Sequence, residues 1–352
     1  MPLFGDLGKK FANEIEHHVE DAVSKYLESK EPQSTEKASE HMKSITSSGR
    51  RKALFVGINY FGQQSELKGC INDVKNIQTF LMENYKIDEV LVLTDDQTKD
   101  PSKMPTRANI LAGFEWLRKD AKAGDSLIFH YSGHGGLVKD TKHNHETGFD
   151  EVIFPYDHEK NGHILDDEIH DVLIKGLPTG VRLTSFIDAC HSETMLDLPY
   201  TYTVNGDLQI VETSKREGIV ELVGTGTRFL CDGDKKRAMN NAKHGLELLI
   251  DGYKHGGRDT EARKIAIETR TTEADVIQFS GCKEQQTSAD ASINGQATGA
   301  MTYALIQSLK KDTNQTYTEL LRNMRQELKG KYSQVPMMSA GRKLVMEHPF
   351  SI

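Results

Sequence analysis

Two short stretches decide the fold of this chain: residues 129–136, FHYSGHGG, and residues 186–193, FIDACHSE. Each stretch is an apolar run that ends in polar residues, and His134 closes one run while Cys190 closes the other. Such runs are typical of neighbouring strands in a parallel sheet, whose ligand crevice lies beyond the carboxyl ends of the strands. We therefore expect an imidazole and a thiol to meet in that crevice. Held together, they can form the activated thiolate with which covalent acyl transfer begins.

Strands and helices alternate on both sides of these two stretches. Apolar runs predict strands at 53–60, 89–93, 127–131, 183–187 and 276–279, with a last edge strand at 344–346. Helical spacing of apolar residues predicts helices at 70–85, 107–121, 167–175, 299–310 and 317–329. Together the patterns predict an α/β fold with a mostly parallel central sheet sandwiched between helices.

The N-terminal part of the chain differs from the rest. Residues 4–27 have the apolar spacing of an amphipathic helix, and residues 28–49 contain hardly an apolar side chain, which indicates a flexible linker. We expect an N-terminal helix and linker at 1–51 and a folded domain at 52–352. That domain is expected to comprise a larger half at 52–202, an irregular insertion at 203–274 and a smaller half at 275–352.

Composition excludes several classes of partner. The net charge of −8 and pI of about 6.0 argue against nucleic acid. No apolar run is long enough to span a membrane, and the N-terminus lacks the pattern of a signal peptide. The four cysteines are far apart with no CxxC spacing, which favours reduced thiols. We expect a soluble cytoplasmic protein, with a nuclear location also left open.

The two strand ends carry further polar side chains. Strand residues two apart project to the same side, so Asp188 is expected to share a side with Cys190, and Ser132 with His134. The glycines around His134 would let the backbone approach a substrate, and the amides of Gly135 and Cys190 would donate to a developing oxyanion. Either reactive residue alone is more often structural, but the matched pair favours a catalytic site.

Several motifs resemble those of the metacaspases, distant relatives of the caspases. They are HYSGHG at 130–135, DACHS at 188–192 and LKGCIND at 67–73, and residues 286–291, 298–302 and 329–334 resemble the small-subunit half of fungal-like type I members. The resemblance runs from about residue 50 to the end of the chain, in family order. It implies a caspase-like fold, a monomer, and a cysteine endopeptidase with a Cys190–His134 dyad.

One position departs from the family pattern. Metacaspases commonly have glycine after the His-Ser that follows the nucleophile, whereas this chain has Glu193. A carboxylate there would oppose ionisation of the thiol if it pointed inward. Glu193 and the N-terminal helix therefore leave open a non-catalytic or weakly active scaffold in protein quality control. A second alternative is an aspartate-specific caspase.

An acidic pocket is the expected basis of specificity. Asp188 near the nucleophile and Asp73 near the start of a helix would together prefer a cationic side chain, arginine or lysine. Taken alone, Asp73 is explained by the favourable dipole at a helix N-terminus. The resemblance implies cleavage after Arg or Lys, with Cys70, Asp73, Ser132 and Asp188 at the pocket positions. Caspase-like cleavage after Asp would need a basic pocket, which the sequence does not offer.

The resemblance also implies a calcium site. Asp150, Asp166, Asp167 and Asp197 align with the calcium-binding aspartates of metacaspases. Their spacing alone would indicate only solvated surface charges, since the sequence has no EF-hand loop. A zinc site is rejected because the histidines have no tight ligand spacing, namely His143, His145, His158 and His163.

Basic residues also stand where an Arg/Lys peptidase could cut itself. Each residue alone is best explained as a solvated loop charge. As a set they suggest self-processing that removes or displaces the N-terminal segment, at Lys43, Arg50 and Arg51 in the linker and Lys215, Arg216 and Arg258 in the insertion.

Overall fold

The structure is a computed structural model of the 352-residue chain. It describes residues 49–139, 149–189, 195–202, 208–209, 270–282, 291–293, 296–329 and 335–352. All of these residues belong to one compact unit, formed by Ser44–Val211 and Arg258–Ile352. The predicted N-terminal helix, Cys190, Glu193 and nearly all of the predicted insertion lie outside the described residues. No helix in the described part of the chain is long and apolar enough to cross a membrane.

A large mixed sheet forms the centre of this unit. The strands are β1 (Arg51–Gly57), β2 (Glu89–Thr94), β3 (Ser126–Ser132), β4 (Gly135–Lys139), β5 (Phe149–Ile153), β6 (Ile164–Leu165), β7 (Arg182–Asp188), β8 (Tyr200–Tyr202), β9 (Leu208–Gln209), β10 (Asp275–Cys282), β11 (Ala291–Ile293), β12 (Gln296–Thr298) and β13 (Val335–Ala340). Eight of them pair in the order β2-β1-β3-β7-β10-β13-β8-β9. The first five of these strands are parallel and the last three antiparallel. The predicted mostly parallel α/β sheet is confirmed.

Helices cover both faces of the sheet. They are α1 (Cys70–Asn84), α2 (Arg107–Arg118), α3 (His158–Asn161), α4 (Asp166–Ile169) with a π-helical continuation at His170–Ile174, α5 (Ala300–Lys311) and α6 (Tyr317–Leu328). Along β1, Ala53 and Phe55 pack with α1, α5 and α6, while Leu54 and Val56 pack with α2 on the opposite face. Because alternate residues point to opposite faces, a continuous apolar run is what a sheet covered twice requires.

The predicted edge strand at 344–346 is wrong. The strand lies earlier, in β13, and Leu344 instead donates its backbone N–H to the Tyr202 hydroxyl at 2.6 Å. Pro336 made the sequence of β13 look unlike a strand. It lies outside the three residues that pair with β8, so its missing N–H breaks no bond to that strand. The small sheet β4-β5-β6 was also missed.

The first strand begins one residue earlier than the predicted boundary at 52. Arg51 opens β1, and its N–H donates to Asp88 Oδ2 at 2.9 Å. The Arg50 N–H donates to Asp125 Oδ1 at 2.9 Å, and its guanidinium reaches Glu89 at 3.2 Å. Both residues are therefore held by hydrogen bonds to the folded domain, and self-cleavage after them stays a prediction.

The carboxyl ends of three parallel strands form a row. Gly57 of β1 pairs with Ser132 of β3, which in turn pairs with Asp188 of β7. Gly57 also lets α1 approach β1 closely, because a Cβ there would lie 2.7 Å from Val74 Cγ2 and 2.9 Å from the Cys70 carbonyl oxygen. The start of α1 is thus brought directly to the edge of the sheet where the predicted site residues lie.

Candidate active site

Asp73 is buried at this edge and accepts three hydrogen bonds from two distant parts of the chain. Its Oδ2 accepts from the Ser132 hydroxyl at 2.7 Å. Its Oδ1 accepts from the Thr298 hydroxyl at 2.5 Å and from the Gly299 N–H at 2.7 Å. The alternative explanation, a carboxylate that merely complements the helix dipole, does not account for these distant donors. The structure brings Asp73 and Ser132 together, as the sequence predicts.

Asp188 lies beside Asp73 and is equally buried. Its Oδ2 accepts the backbone N–H of Thr302 at 3.0 Å. Behind it, Nε2 of the buried His130 lies 3.2 Å from the Thr302 hydroxyl. Sequence reasoning missed the contribution of Thr298 and Thr302, because nothing in their local pattern indicates contact with residues more than a hundred positions away.

Burial and mutual repulsion change the protonation of this cluster. Burial, followed by the negative charge of Asp188, raises the pKa of Asp73 to about 7, although its hydrogen-bond donors oppose the rise. Burial lowers the pKa of His130 to about 4, and the Asp188 charge only partly offsets that effect. At neutral pH His130 is therefore uncharged, and the charge of the cluster is negative.

His134 lies just beyond the end of β3, with its ring fixed by a backbone carbonyl. Its Nε2 is 2.7 Å from the Ser65 carbonyl oxygen. A carbonyl can only accept, so Nε2 carries the proton, and the lone pair of the neutral ring lies on Nδ1. The ring is therefore prepared to take a proton at Nδ1. The Ser65 contact could not have been predicted from the sequence, because a backbone carbonyl carries no side-chain signal.

Two buried tyrosines hold the backbone of His134. The His134 N–H donates to the Tyr60 hydroxyl at 2.9 Å, and the Tyr131 hydroxyl donates to the His134 carbonyl at 2.7 Å. The Tyr60 ring also packs on the imidazole, with 4.6 Å between centroids. Both tyrosines lie at the ends of apolar runs, next to the polar residues of the site. This position could have indicated a supporting role, but it was not used in the prediction.

Two glycines beside His134 allow aromatic side chains to pack closely against this turn. A Cβ on Gly133 would lie 2.6 Å from the Tyr131 hydroxyl, and one on Gly136 would lie 2.9 Å from the Phe154 ring. These contacts give both glycines a structural reason, and the expectation that the glycines let the backbone approach a substrate stays a prediction. They make room for the aromatic side chains that fix the turn.

The loop that carries Ser65 is itself held in place. Both oxygens of the buried Asp95 accept loop amides, from Asn59 at 2.8 Å and from Phe61 at 3.1 Å. The Leu67 N–H donates to the Asn59 carbonyl at 2.7 Å. Asp95 thus acts indirectly on the His134 ring, by fixing the backbone whose carbonyl orients it.

Cys190, the other predicted catalytic residue, lies outside the described residues. Its strand β7 ends at Asp188, which pairs with Ser132, and Cys190 and His134 each come two positions later in the sequence. Gly135, the other predicted oxyanion donor, opens β4. Cys70, the remaining pocket residue, is a buried cysteine at the first position of α1, one turn before Asp73.

The four aspartates of the implied calcium site lie on β5, α4 and the segment before β8. Asp166 Oδ1 accepts the Asp167 N–H at 2.8 Å, and Oδ2 accepts the Glu151 N–H at 3.2 Å. Burial raises the pKa of Asp166 to about 7, and the charges of Asp150 and Asp167 add to the rise. Three carboxylates are thus close enough to repel one another.

The fourth aspartate, Asp197, pairs with a cation of the chain itself. It has a left-handed backbone with φ of 53°, and its carboxylate binds the Arg270 guanidinium. Within the described ranges, no three His, Cys, Asp or Glu side chains are arranged as a metal site. The four side chains are nevertheless all carboxylates, the hard oxygen ligands that Ca²⁺ takes, and the crowding of Asp150 and Asp167 around buried Asp166 fits a cation.

Comparison with known proteins shows which family this chain belongs to. The family model described as "Metacaspase, peptidase C14 domain" matches residues 51–199. Metacaspase-1 of Sclerotinia sclerotiorum is 46% identical over 303 residues, which cover 86% of this chain and 68% of the relative. Metacaspase-1A of Aspergillus niger is 46% identical over 84% of this chain and 72% of its own. Metacaspase-1 of Ajellomyces capsulatus is 47% identical, over 84% of this chain and 81% of the relative.

A crystal structure of a Geobacter sulfurreducens protein covers 86% of this chain and 99% of its own, at 20% identity and a TM-score of 0.49. The assignment rests on the sequence relatives. The central α/β sheet and the matching peptidase domain define a caspase-like cysteine peptidase. The chain belongs to the metacaspase family, and the resemblance seen in the motifs is confirmed.

Proposed function

We propose that this peptidase cleaves protein chains after arginine or lysine, using Cys190 as nucleophile and His134 as base. One observation carries the proposal: the carboxylates of Asp73 and Asp188 are buried side by side at the strand ends that lead to His134 and Cys190. Burial of two neighbouring carboxylates is costly because they repel each other, and a cationic substrate side chain would relieve that cost. Arginine can bind such a pair in a bidentate manner, and lysine as a point charge.

The geometry of the His134 ring supports the following reaction. His134 Nδ1 takes the proton of the Cys190 thiol, and the Ser65 carbonyl accepts from Nε2 and so stabilises the imidazolium. The thiolate attacks the substrate carbonyl carbon, and the amides of Gly135 and Cys190 hold the oxyanion. His134 then returns the proton to the leaving amine. Water, deprotonated by His134, hydrolyses the thioester and restores the free thiol.

A peptide panel tests this function. Purified protein is assayed with fluorogenic peptides ending in Arg, Lys or Asp, with calcium titrated and with Cys190→Ala as the control. The proposal expects turnover of Arg and Lys peptides that Cys190→Ala abolishes. Asp-directed cleavage would instead support the aspartate-specific alternative. Absence of turnover that Glu193→Gly restores would support the scaffold alternative.

Specificity is expected to depend on pH. Because the pKa of Asp73 is raised to about 7, this carboxyl takes up a proton below that pH and the pocket loses one negative charge. The preference for an arginine peptide over its neutral citrulline analogue should therefore fall by about tenfold between pH 8 and pH 5.5. The ratio of the two kcat/KM values is the measurement, since titration of the dyad cancels in it. A ratio independent of pH would contradict the role given to Asp73.

Calcium is proposed as the activating ion, with Asp150, Asp166, Asp167 and Asp197 as the residues that would hold it. When bound, it would supply positive charge to the crowded carboxylates around Asp166. In the structure, the Arg270 guanidinium pairs with Asp197. The chain's own guanidinium is thus a competitor for one of the four carboxylates.

Replacing Arg270 with glutamine is therefore expected to raise calcium affinity by about tenfold, because a competing cation is removed. Isothermal titration calorimetry in the Cys190→Ala background measures this without any activity. Lys175→Gln is the matched control: Lys175 pairs with Asp171 on the surface at 2.9 Å, and its loss should change affinity less than twofold. Weaker calcium binding by Arg270→Gln would rule out competition between Arg270 and the ion. No calcium binding by the parent protein would rule out the calcium site itself.

Self-processing is proposed for the basic residues that lie outside the described part of the chain, namely Lys43, Lys215, Arg216 and Arg258. Arg50 and Arg51 are less favourable sites, because their backbone N–H groups are held by hydrogen bonds within the domain. Monomeric state and cytoplasmic location stay predictions, which size-exclusion chromatography and imaging of the tagged chain would test.

A further inference from the structure

The segment that joins β12 to α5 lies between the two carboxylates of the pocket. We call residues 298–302 the junction. Its Thr298 hydroxyl and Gly299 N–H both donate to Asp73 Oδ1, and its Thr302 N–H donates to Asp188 Oδ2. The junction thus donates two hydrogen bonds to Asp73 and one to Asp188. The peptidase would lose all of them if this one short segment moved.

Gly299 allows the junction to come this close. A Cβ at this position would lie 2.0 Å from Asp188 Oδ2 and 2.8 Å from Asp73 Oδ2, well inside contact distance. Its backbone angles, φ −69° and ψ 142°, are ordinary for any residue. Glycine is therefore required here for space between the carboxylates and not for backbone freedom.

The junction is also anchored from behind. Buried His130 on β3 contacts the Thr302 hydroxyl at 3.2 Å, and its Nδ1 has no hydrogen-bond partner among the described residues. The junction opens the twelve-residue helix α5, whose N-terminal amides and dipole favour nearby negative charge. These contacts supply neutral donors to the aspartates, so they hold the pair in place without cancelling its charge.

We propose that the junction is the specificity-determining element of this peptidase, because it fixes Asp73 and Asp188 as a matched pair of acceptors for one cationic side chain. The inference rests on the proposed Arg/Lys specificity and adds that residues of the smaller half build the pocket. The titratable group facing Asp73 is Asp188 on β7, and His130 on β3 faces Asp188 in turn. The junction supplies two donors to Asp73, beside the Ser132 hydroxyl, and one donor to Asp188.

Thr298→Val tests the proposal with nearly unchanged shape. The variant removes one donor to Asp73, so KM for arginine and lysine peptides is expected to rise about tenfold while kcat changes less than twofold. The pH at which the arginine preference is lost should rise by about one unit, since a donor that favours the charged form is gone. Thr179→Val is the matched control, because Thr179 is exposed and lies far from the pocket in the fold.

A second variant and a second measurement keep the outcome clear. Gly299→Ala should raise KM about a hundredfold or more, because its methyl group must displace Asp188. In Cys190→Ala protein, the ¹³C signal of the Asp73 carboxyl, assigned with Asp73→Asn, should titrate at higher pH once Thr298→Val is added. Unchanged KM, pH profile and carboxyl titration in Thr298→Val would overturn the inference. Lack of any Arg or Lys preference in the parent would instead overturn the proposed function.

Discussion

Replacing His134 with alanine is expected to lower kcat/KM for arginine peptides by about a thousandfold or more. The ring is the only described imidazole at the strand ends whose Nε2 is fixed by a backbone carbonyl, which leaves its Nδ1 to accept the thiol proton. Stability should change little, because the ring is only half-buried and its polar partner, Ser65, is exposed. Steady-state kinetics beside thermal unfolding of the same preparation separates the two effects.

His158→Ala is the matched control for this prediction. His158 also contacts the Tyr60 ring, with 6.0 Å between centroids, and its Nδ1 bonds the Pro155 carbonyl. Removing it takes away an imidazole from the same aromatic cluster without touching the proposed proton path, so kcat/KM should fall less than threefold. Retention of more than a tenth of the parent's activity by His134→Ala would contradict the dyad.

The largest effect on stability is expected from Arg182→Met, at about 3–5 kcal/mol of unfolding free energy. Arg182 and Asp275 are 3% and 1% exposed, and the guanidinium donates to Asp275 Oδ2 at 3.0 Å from Nε and 2.7 Å from Nη2. Removing the cation leaves a carboxylate buried without its partner. The guanidinium also donates to the Ser351 carbonyl at 3.1 Å, so the last residues of the domain lose an anchor.

A double-mutant cycle measures this effect. Urea unfolding of Arg182→Met, of Asp275→Leu and of the double variant, all in the Cys190→Ala background, gives the coupling between the two residues. The double variant should recover most of the stability lost by Arg182→Met, since it leaves no buried charge. If the double variant lost as much unfolding free energy as the two single variants together, the Arg182–Asp275 pair would not be the cause of the destabilisation.

The sequence predicted most of the central fold because the signals there are local. Helix α1 was expected at 70–85 and occupies Cys70–Asn84, since its apolar residues repeat with the period of one helical face. The strand ending at Asp188 was expected from its apolar run. The strand β13 was missed because Pro336 and the small residues near its end outweighed its apolar content.

The candidate site was less predictable because its geometry depends on contacts between distant segments. Asp73 and Asp188 were expected to share a pocket, but Thr298 and Thr302 were not, since only the packing of α5 brings them there. Tyr60 supports His134 through a hydroxyl that the apolar pattern treats as core. The Ser65 carbonyl contributes no side chain and therefore no sequence signal.

The attachment of the chain ahead of β1 limits how any cut at Lys43 could be made. The Gly49 N–H donates to the Gly124 carbonyl at 2.9 Å, at the end of the sheet opposite the crevice. Strand β1 alone separates that end from Gly57 by roughly 20 Å, at about 3.3 Å per residue. The six residues from Lys43 to Gly49 reach about 20 Å when fully extended, too little to pass that distance and enter the crevice. If Lys43 is a cleavage site, we therefore expect one molecule to cut another, and the initial rate of cleavage should then rise with the square of the protein concentration.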